Sequence, residues 1–335
     1  MPDPVMLSGA RAKRVARPSP VALELAGGSA VIARVQELLR RAAALDSSVL
    51  LIVRRGSDAD SLARDIHGRS ARASASFVKV ACGAAGVEQA LFGEPGGHAP
   101  PDLETVSADG RIAAARGGTL FLDEVTELPA VVQSRLARLA RDGEARVGGE
   151  VTALDTRLIV SAAPGIDADV REHRFRADLY RRVSATRIEL PPLSERLEDV
   201  PALAECLLAE FCIERNTPSR TFTQAALALL GAMTWPGNLA ELRETIDRAA
   251  AATDEDAIQV EHLVPTLQLN RAPASFEPSG TLREARLRFE HDYIAAVLQH
   301  HGWRMTDAAQ TLGIQRPNLY RKARQLGIPV TRNSD

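Results

Sequence analysis

The sequence predicts an α/β fold with a parallel sheet, followed by a helical subdomain and a small all-α domain. Short apolar runs such as VLLIV (Val49–Val53) and TLFL (Thr119–Leu122) alternate with helical patterns over residues 21–190. Buried parallel strands joined by helices produce this alternation. Residues 199–268 show only helical periodicity, and a length of 335 residues favours two or three domains.

Composition excludes several classes of protein. With 45% hydrophobic and 25% charged residues, the chain has a globular rather than a disordered composition. Its three cysteines form no C-x-x-C pattern, no His spacing is typical of zinc, and no G-x-S-x-G elbow occurs. Neither a signal peptide nor an apolar run of membrane-spanning length is found. A cytoplasmic protein with reduced thiols, no metal ion and no membrane contact is therefore expected.

Charge is distributed unevenly along the chain. The formal net charge is −2, but residues 281–335 contain nine Lys or Arg against five Asp or Glu. A basic end of this kind is typical of either a nucleic-acid-binding surface or a solvated tail. Lysine is rare, since Lys13, Lys79 and Lys322 are the only lysines among 41 basic residues. Because there are so few lysines, a motif that requires one can be excluded wherever none of the three stands at the required position.

The predicted elements follow in order along the chain. Residues 1–20 form a flexible basic tail, residues 269–281 form a Pro/Ser-rich linker, and residues 282–335 form the C-terminal domain. The sequence WPGN interrupts the helical region 199–268. The patterns predict helices at Val31–Ala44 and Ser61–His67, and strands at Val49–Val53, Phe77–Val80, Thr119–Leu122 and Arg157–Val160.

The segment RMTDAAQTLGIQRPNLYRKARQLGI has the pattern of a helix-turn-helix. Thr306 is suited to cap a first helix, and Gly313 tolerates the positive φ of a tight turn. Pro317 suits the first turn of the second helix, where a missing N–H costs nothing. Small Ala309 and apolar Leu319 stand where two crossed helices must touch.

The second of these helices is predicted to expose polar and basic side chains. Gln, Arg and Asn near a helix start can make paired hydrogen bonds with base edges, whereas Arg and Lys further along contact phosphates. An ordinary helical hairpin with a charged outer face is the alternative. The residues expected to contact double-stranded DNA are Gln315, Arg316, Asn318, Arg321 and Lys322.

The last 50 or so residues resemble the Fis-type domain that ends bacterial enhancer-binding proteins. The resemblance lies in DYIAAVLQHHGWRMTDAAQTLGIQRPNLYRKARQLGI, which follows the family's AA..LGI.R..LYRK...LGI. It implies binding to promoter DNA, adds Tyr320 to the DNA-binding residues, and implies that the preceding helix dimerises. Packing within one chain is the alternative for the apolar stripe of that helix, which contains Ala285, Phe289, Tyr293 and Ala296.

Residues 23–265, about seven-tenths of the chain, resemble the AAA+ central domain of the NtrC-type, sigma-54-interacting regulators. This resemblance implies a three-layer AAA+ α/β subdomain over residues 21–190 and a helical lid subdomain over residues 191–268. The matching stretches are LFG (Leu91–Gly93), GGTLFLDEVTELP (Gly117–Pro129), FRADLYRRV (Phe175–Val183), LPPLSERLEDVP (Leu190–Pro201) and WPGNLAEL (Trp235–Leu242).

The phosphate-binding loop departs from the family's pattern. RRGSDADSLARDIH aligns with the family's GESGTGKELVARAIH on the final Ile-His, so the family's lysine falls on Ala59 and its second loop glycine on Asp58. A P-loop needs that lysine for the β/γ-phosphates, and Asp58 adds negative charge near them. ATP with Mg²⁺ is therefore expected as a cofactor only if the degenerate site retains binding, with Arg54 or Arg55 as a substitute ligand. The loop residues concerned are Gly56, Ser57, Asp58, Ala59 and Asp60.

Two acids and two arginines match catalytic positions of the family. Asp123 and Glu124 follow TLFL as a Walker B pair does. The resemblance implies Mg²⁺ binding by the aspartate and activation of water by the glutamate, in a site that is inherited and no longer used. Arg176 and Arg182 match the arginine-finger region, with salt bridging at a surface or interface as the alternative.

Three other parts of the family's machinery are replaced. The sensing Asn falls on Ala163 and the sensor Arg on Ala240. The GAFTGA loop, which contacts sigma-54 in the family, falls on Gly97–Asp102, where no Phe-Thr pair occurs and two prolines stiffen the tip. Sigma-54 is therefore not expected as a partner.

These features predict a sequence-specific transcriptional regulator in the bacterial cytoplasm, associated with the nucleoid. It is expected to bind promoter DNA as a dimer or higher oligomer through residues 305–328, without ATP hydrolysis. Its expected partner is RNA polymerase carrying a sigma factor other than sigma-54. Two alternatives stay open: an ATP-dependent activator of sigma-54 polymerase, and a DNA-architectural protein that bends or bridges DNA with little sequence choice.

Overall fold

The structure is a computed structural model that describes residues 23–94, 103–147 and 149–270, together with residues 294, 298, 304–306, 309 and 315–326. The chain forms two compact units, Met1–Asn270 and Arg271–Asp335. Among the described residues, every helix is too short or too polar to cross a lipid bilayer.

The first unit begins with an α/β subdomain in which helices and strands alternate. Its helices are α1 (Ala30–Ala44), α2 (Ala59–Gly68), α3 (Val87–Phe92), α4 (Arg111–Ala114), α5 (Ala130–Asp142), α6 (Ile166–Arg171) and α7 (Ala177–Val183). Its strands are β1 (Val49–Ile52), β2 (Phe77–Ala81), β3 (Thr105–Val106), β4 (Thr119–Asp123), β5 (Glu144–Val147), β6 (Glu150–Ala153), β7 (Arg157–Ala162) and β8 (Thr186–Glu189). Short 3-10 turns lie at Leu23–Leu25, Val125–Glu127, Leu193–Glu195 and Leu197–Asp199.

Five parallel strands form the central sheet in the order β2-β4-β7-β1-β8. Successive residues of a strand point to opposite faces, so Leu50 and Ile52 enter one apolar core while Val49 and Leu51 enter another. Helices α1 and α2 complete the second core, and α5 and α7 contribute to the first. Burial on both faces explains why β1 is a continuous apolar run and why β4 contains one at Leu120–Leu122. The predicted three-layer α/β subdomain with a parallel sheet is confirmed.

The sequence patterns do not predict β8 or the small sheet β3-β5-β6. Strand β8 lies at the edge of the central sheet and buries only Ile188, so no apolar run marks it. Strands β5 and β6 form an antiparallel pair whose side chains are mostly exposed or half-buried. Short edge strands held by main-chain pairing leave little hydrophobic signal.

The helical lid follows the sheet. Helices α8 (Val200–Glu214), α9 (Gln224–Gly231), α10 (Asn238–Ala251) and α11 (Val260–Asn270) pack around one apolar core that includes Trp235. The prediction of helix alone over residues 199–268 is wrong in one detail, because β9 (Thr221–Phe222) and β10 (Ala257–Ile258) pair in parallel. This pairing satisfies main-chain groups of two inter-helix connections, and two-residue strands are too short to show a period.

The second unit contains helix α12 (Arg316–Gln325), with Pro317 in its first turn as predicted. Leu319 is fully buried and Ala309 nearly so, as the helix-turn-helix pattern predicts for the residues at the helix crossing. They share one apolar cluster with Ile294, Leu298, Met305 and Ala323.

The start of the first helix in this unit differs from the prediction. Met305 and Thr306 are already helical, so Thr306 does not cap that helix. Met305 is buried in the apolar cluster, and this burial favours a helix that begins before Thr306. The turn residue Gly313 and the stripe at Ala285, Phe289, Tyr293 and Ala296 lie outside the described residues.

Candidate functional site

A cavity of about 550 Å³ opens at the carboxyl ends of β1, β4 and β7. Ligands of open parallel sheets bind at this edge. Three basic and five acidic side chains line the cavity, a formal net charge of −2. The lining includes the predicted loop residues Gly56, Ser57, Asp58, Ala59 and Asp60, and also Arg54, Arg55, Lys79, Asp123, Glu124, Glu127, Ser161 and Ala163.

The predicted phosphate loop connects β1 to α2. Asp58 is the N-cap of α2, and its Oδ1 accepts the Ser61 N–H at 3.0 Å. The N–H of Asp58 itself donates to Oε2 of Glu24 at 3.0 Å. Ala59 begins the helix and is buried. Carboxylate oxygens of the chain therefore accept two of the N–H groups at this helix start, where N–H groups attract anions.

The lid contacts the same loop from the other side. The carbonyl of Gly56 accepts the N–H of Ala240 at 2.8 Å, and the Asn238 amide donates to the Arg55 carbonyl at 2.9 Å. Gly56 has a φ of +84°, and a Cβ on it would lie 2.1 Å from the carbonyl oxygen of Gly237. Only glycine permits both this backbone conformation and this close approach of helix α10.

The two acids lie where the resemblance implies a Walker B pair, at the end of β4. Ser161 on the neighbouring strand β7 donates its hydroxyl to Oδ1 of Asp123 at 2.7 Å and accepts the Glu124 N–H at 2.8 Å. Glu124 has a φ of +58°, in the left-handed region that few residues other than glycine occupy. Its exposed side chain lines the cavity, so the carboxylate is accessible to a ligand.

Lys79 adds a positive charge that the sequence analysis did not assign to this site. It projects from β2, and its Nζ lies 3.1 Å from Oδ2 of Asp123 and 3.8 Å from Oδ1 of Asp60. The sequence contains a signal for Lys79, because it is one of only three lysines and stands on the predicted strand Phe77–Val80. Ser161 had no such signal, because a single serine in a strand is common.

The two candidate arginine-finger residues do not reach the cavity of their own chain. Arg176 is exposed and forms a two-point ion pair with Asp178, at 2.7 and 3.0 Å. Arg182 is exposed and donates to the Ala140 carbonyl at 2.7 Å. The Arg176 contact is a surface salt bridge, the alternative that the sequence left open, whereas the Arg182 contact is a hydrogen bond to the main chain. Both side chains remain exposed.

Other expectations for this region have separate outcomes. The predicted sensor position Ala163 lines the cavity. The loop expected at Gly97–Asp102 lies outside the described residues. Within the part of the chain that the structure describes, no group of three His, Cys, Asp or Glu is arranged to hold a metal ion. Burial raises the pKa of the neighbouring Cys82 thiol to about 12, which removes it as a nucleophile at neutral pH.

The predicted DNA-binding residues lie immediately before α12 and in its first two turns. Gln315, Arg316 and Asn318 are exposed, whereas Tyr320 and Lys322 are half-buried. The guanidinium of Arg316 lies over the Tyr320 ring, 5.9 Å from its centre. The exposed Arg321 donates to the Asn318 side chain at 3.3 Å. No acidic residue occurs between residues 316 and 325, so every charge on this helix is positive.

Family models match successive parts of the chain. Residues 25–189 match the sigma-54 interaction domain, residues 194–278 match the AAA+ ATPase lid domain, and residues 286–326 match the bacterial regulatory protein Fis family. The fold and the family matches therefore define the class, an AAA+ regulator with a C-terminal Fis-type helix-turn-helix. Its basic helix α12 is part of the segment matched to the Fis family.

Known proteins of this class are similar over most of the chain. Identity is 36% over 299 residues to the alginate biosynthesis transcriptional regulatory protein AlgB of Pseudomonas putida, covering 88% of this chain and 65% of AlgB. Identity is 33% over 319 residues to the nitrogen assimilation regulatory protein NtrX of Azorhizobium caulinodans, covering 91% and 69%. The chain belongs to the NtrC family of transcriptional regulators. It spans just under two thirds of the length of that AlgB.

The fold is also similar to that of a solved family member. The crystal structure of NtrX from Brucella abortus in complex with ADP has a TM-score of 0.63 at 30% identity, covering 91% of this chain and 69% of that one. The structure of the same protein in complex with ATP has a TM-score of 0.63 at 29% identity, covering 92% and 70%.

Proposed function

We propose that this chain regulates transcription by binding specific promoter DNA through Gln315, Arg316, Asn318, Tyr320, Arg321 and Lys322. The AAA+ body serves assembly, as a dimer or higher oligomer, or binds a partner protein, without ATP-driven remodelling of sigma-54 polymerase. The proposal that ATP is not used depends on one observation in the phosphate loop. Asp58 caps α2 with its own carboxylate, and Ala59 stands where the family has its lysine.

The electrostatics of this loop oppose a bound nucleotide. Two unit negative charges about 5 Å apart repel by roughly 3 kcal/mol at an effective dielectric near 20. A phosphate beside Asp58 meets such a repulsion and lacks the ammonium that a lysine at residue 59 would provide. The cavity as a whole carries a formal net charge of −2. These features support weak or negligible ATP binding.

The residues present also do not fit the magnesium ion that accompanies ATP in the family. Asp123 is already paired with the Lys79 ammonium at 3.1 Å and accepts the Ser161 hydroxyl at 2.7 Å. A cation brought to this carboxylate must overcome repulsion from Lys79. We therefore assign no chemical step to a bound Mg²⁺ or ATP in this chain.

One observation favours an alternative function as an ATP-dependent sigma-54 activator. The cavity still contains Asp123 and Glu124 at a strand end, and Arg54 and Arg55 line it as candidate phosphate ligands. NtrX of Brucella abortus was solved with ATP and with ADP. Under this alternative the arginines take over the role of the P-loop lysine.

Calorimetric titration of the full chain with Mg·ATP separates the two functions. We expect no saturable heat up to millimolar nucleotide. The matched control is the variant Asp58→Gly/Ala59→Lys, which restores the family's residues in the same loop. Saturable binding to the unmodified chain, together with turnover that Glu124→Gln abolishes, would establish the alternative.

The DNA part of the proposal is tested on the binding sites themselves. Genome-wide mapping of bound sites identifies promoter fragments, and footprinting against competitor DNA then measures sequence preference. We expect a protected sequence that survives an excess of unrelated DNA. Protection that unrelated DNA removes equally well would instead indicate an architectural protein, whose binding depends on backbone contacts and DNA deformability.

A further inference from the structure

The carboxylate of Glu24 is buried where three segments of the first unit meet. Glu24 and Arg196 are both inaccessible to solvent at their side chains. One oxygen of the carboxylate lies 2.5 Å from Nη2 of Arg196, and the other accepts the N–H of Asp58 at 3.0 Å. Arg196 also donates to the main-chain carbonyl of Glu24 at 2.6 Å. The two buried charges are thus paired with each other, and only the Nε of Arg196 has no hydrogen-bond partner among the described residues.

The N–H that Glu24 binds belongs to the phosphate loop. Main-chain N–H groups at the start of a helix, after a strand and a loop, form a ready-made site for an anion. At this helix start the Asp58 N–H is bonded to Glu24 and the Ser61 N–H is bonded to the Asp58 side chain. The chain therefore supplies its own anionic groups to donors of the type that hold phosphate.

The same loop is bonded to the lid. Asn238, at the start of the lid helix α10, bonds to the loop through its amide, which donates to the Arg55 carbonyl at 2.9 Å. Its carbonyl oxygen accepts the Leu193 N–H at 3.1 Å. The Ala240 N–H donates to the Gly56 carbonyl at 2.8 Å. Through Glu24 and Arg196 on one side and Asn238 on the other, the loop connects the amino-terminal turn to the lid.

We propose that Glu24 is a built-in anionic ligand of the phosphate loop, which holds the loop and the lid together in the absence of nucleotide. The proposal rests on the proposed function, since it explains how an AAA+ body without bound ATP keeps a defined arrangement of its two subdomains. Its consequence is that the arrangement of loop and lid does not depend on nucleotide, and that nucleotide and Glu24 compete for the same loop N–H.

A matched control separates this role from ordinary structural pairing. Asp199 is also fully buried, and its carboxylate accepts the N–H groups of Gly28 and Ser29 and the Ser29 hydroxyl. Asp199 thus anchors the amino-terminal segment to the 3-10 turns at residues 193–199, as the Glu24–Arg196 pair also does. Asp199 has no hydrogen bond to the loop among the described contacts, so Asp199→Asn perturbs the anchor but not the loop.

The test variant replaces both members of the pair, Glu24→Met/Arg196→Met. Replacing a buried ion pair by apolar residues of similar volume preserves packing, whereas removing one partner leaves an uncompensated charge. Hydrogen exchange of the full chain is measured by mass spectrometry with fragment resolution over residues 54–60. We expect exchange at Asp58 to quicken by at least about tenfold in the double variant, with strand β1 unchanged. Asp199→Asn should not change exchange at Asp58.

A second measurement follows the competition directly. In the loop-restored background Asp58→Gly/Ala59→Lys, calorimetry compares ATP affinity with Glu24 present and with Glu24→Met/Arg196→Met added. We expect a gain in affinity of about tenfold when the pair is removed. Equal affinities, or equal exchange at Asp58 in the double variant and the unmodified chain, would overturn the proposal. The exchange experiment contains no nucleotide, so ATP binding by the unmodified chain would refute the proposed function without deciding this result.

Discussion

The ammonium nitrogen of Lys79 lies 3.1 Å from Oδ2 of Asp123, across two neighbouring parallel strands. The aspartate is the residue that the family resemblance assigns to magnesium, and the lysine neutralises it from within the chain. This contact bears on every prediction about nucleotide chemistry, because a cation and an ammonium compete for one carboxylate.

The Lys79–Asp123 pair should contribute modestly to stability. Its side chains are 37% and 25% exposed, and partly exposed ion pairs contribute about 0.5 kcal/mol. Lys79→Met should lower the free energy of unfolding by about this amount, measured by denaturant titration. Lys79→Arg keeps the charge and serves as the control. A double-mutant cycle with Asp123→Asn that shows strict additivity would contradict the pairing.

Glu124 should be dispensable for regulation. If the chain does not hydrolyse ATP, Glu124→Gln leaves transcription from a bound promoter unchanged, because no water needs activation. The measurement is reporter expression together with ATP turnover by the purified chain on promoter DNA. Asp123→Asn is a poorer test, since it also removes the ion pair with Lys79. A turnover that depends on Glu124 would be decisive against the prediction.

Sigma-54 should not bind this chain. The segment Gly97–Asp102 stands where the family has its sigma-54-contacting GAFTGA sequence, and it contains no Phe-Thr pair. Direct binding of purified sigma-54 to the full chain, measured by interferometry, should show no saturation. The prediction fails if binding saturates and is then lost when residues 97–102 are replaced by a Gly/Ser segment of equal length.

Protonation of His67 should destabilise the fold. Burial lowers the pKa of His67 below its usual 6.5, and Nδ1 lies 2.9 Å from the Thr119 hydroxyl. The unfolded chain therefore binds this proton at a higher pH than the folded chain, and stability is lost as pH falls below 6.5. His67→Gln should flatten the decline in thermal stability as pH falls below 6.5. An unchanged slope would show that other groups cause the decline.

Arg316 and Lys322 should have different effects on DNA binding. Arg316 is exposed at the start of α12, where a guanidinium can make two hydrogen bonds to a guanine edge. Arg316→Ala should cost about 1–3 kcal/mol per half-site and relax sequence preference. Lys322→Ala should weaken binding to all sequences and reduce the salt slope by roughly one unit. These effects are measured by fluorescence anisotropy over a range of salt concentrations.

The comparison of the two variants also tests the assignment of α12. If Arg316→Ala changes neither affinity nor base preference, this helix does not enter the major groove. Arg324→Ala is a suitable surface control, because Arg324 is exposed in the last turn of the same helix. Its effect should be that of a single phosphate contact or less.

The inner strands β1 and β4 of the central sheet could be predicted because they are buried on both faces. Val49–Ile52 and Leu120–Leu122 are therefore apolar without interruption, which is a signal that a single sequence contains. Strand β8 could not be predicted in this way, since it lies at an edge and alternates buried Ile188 with exposed charges. The pair β9 and β10 was missed for a different reason, because each strand has only two residues and shows no period.

The sequence by itself determined that the phosphate loop lacks the family's lysine and glycine. The tertiary structure decided which groups of the chain bind the N–H groups of that loop instead. Ala59 and Asp58 are visible in the sequence, and so is the basic helix α12, because both depend on residues that are neighbours along the chain. Glu24 stands 34 residues from Asp58 and 172 residues from Arg196. Contacts over such separations exist only after the sheet and the lid have packed, since no local pattern records which distant carboxylate will meet which N–H.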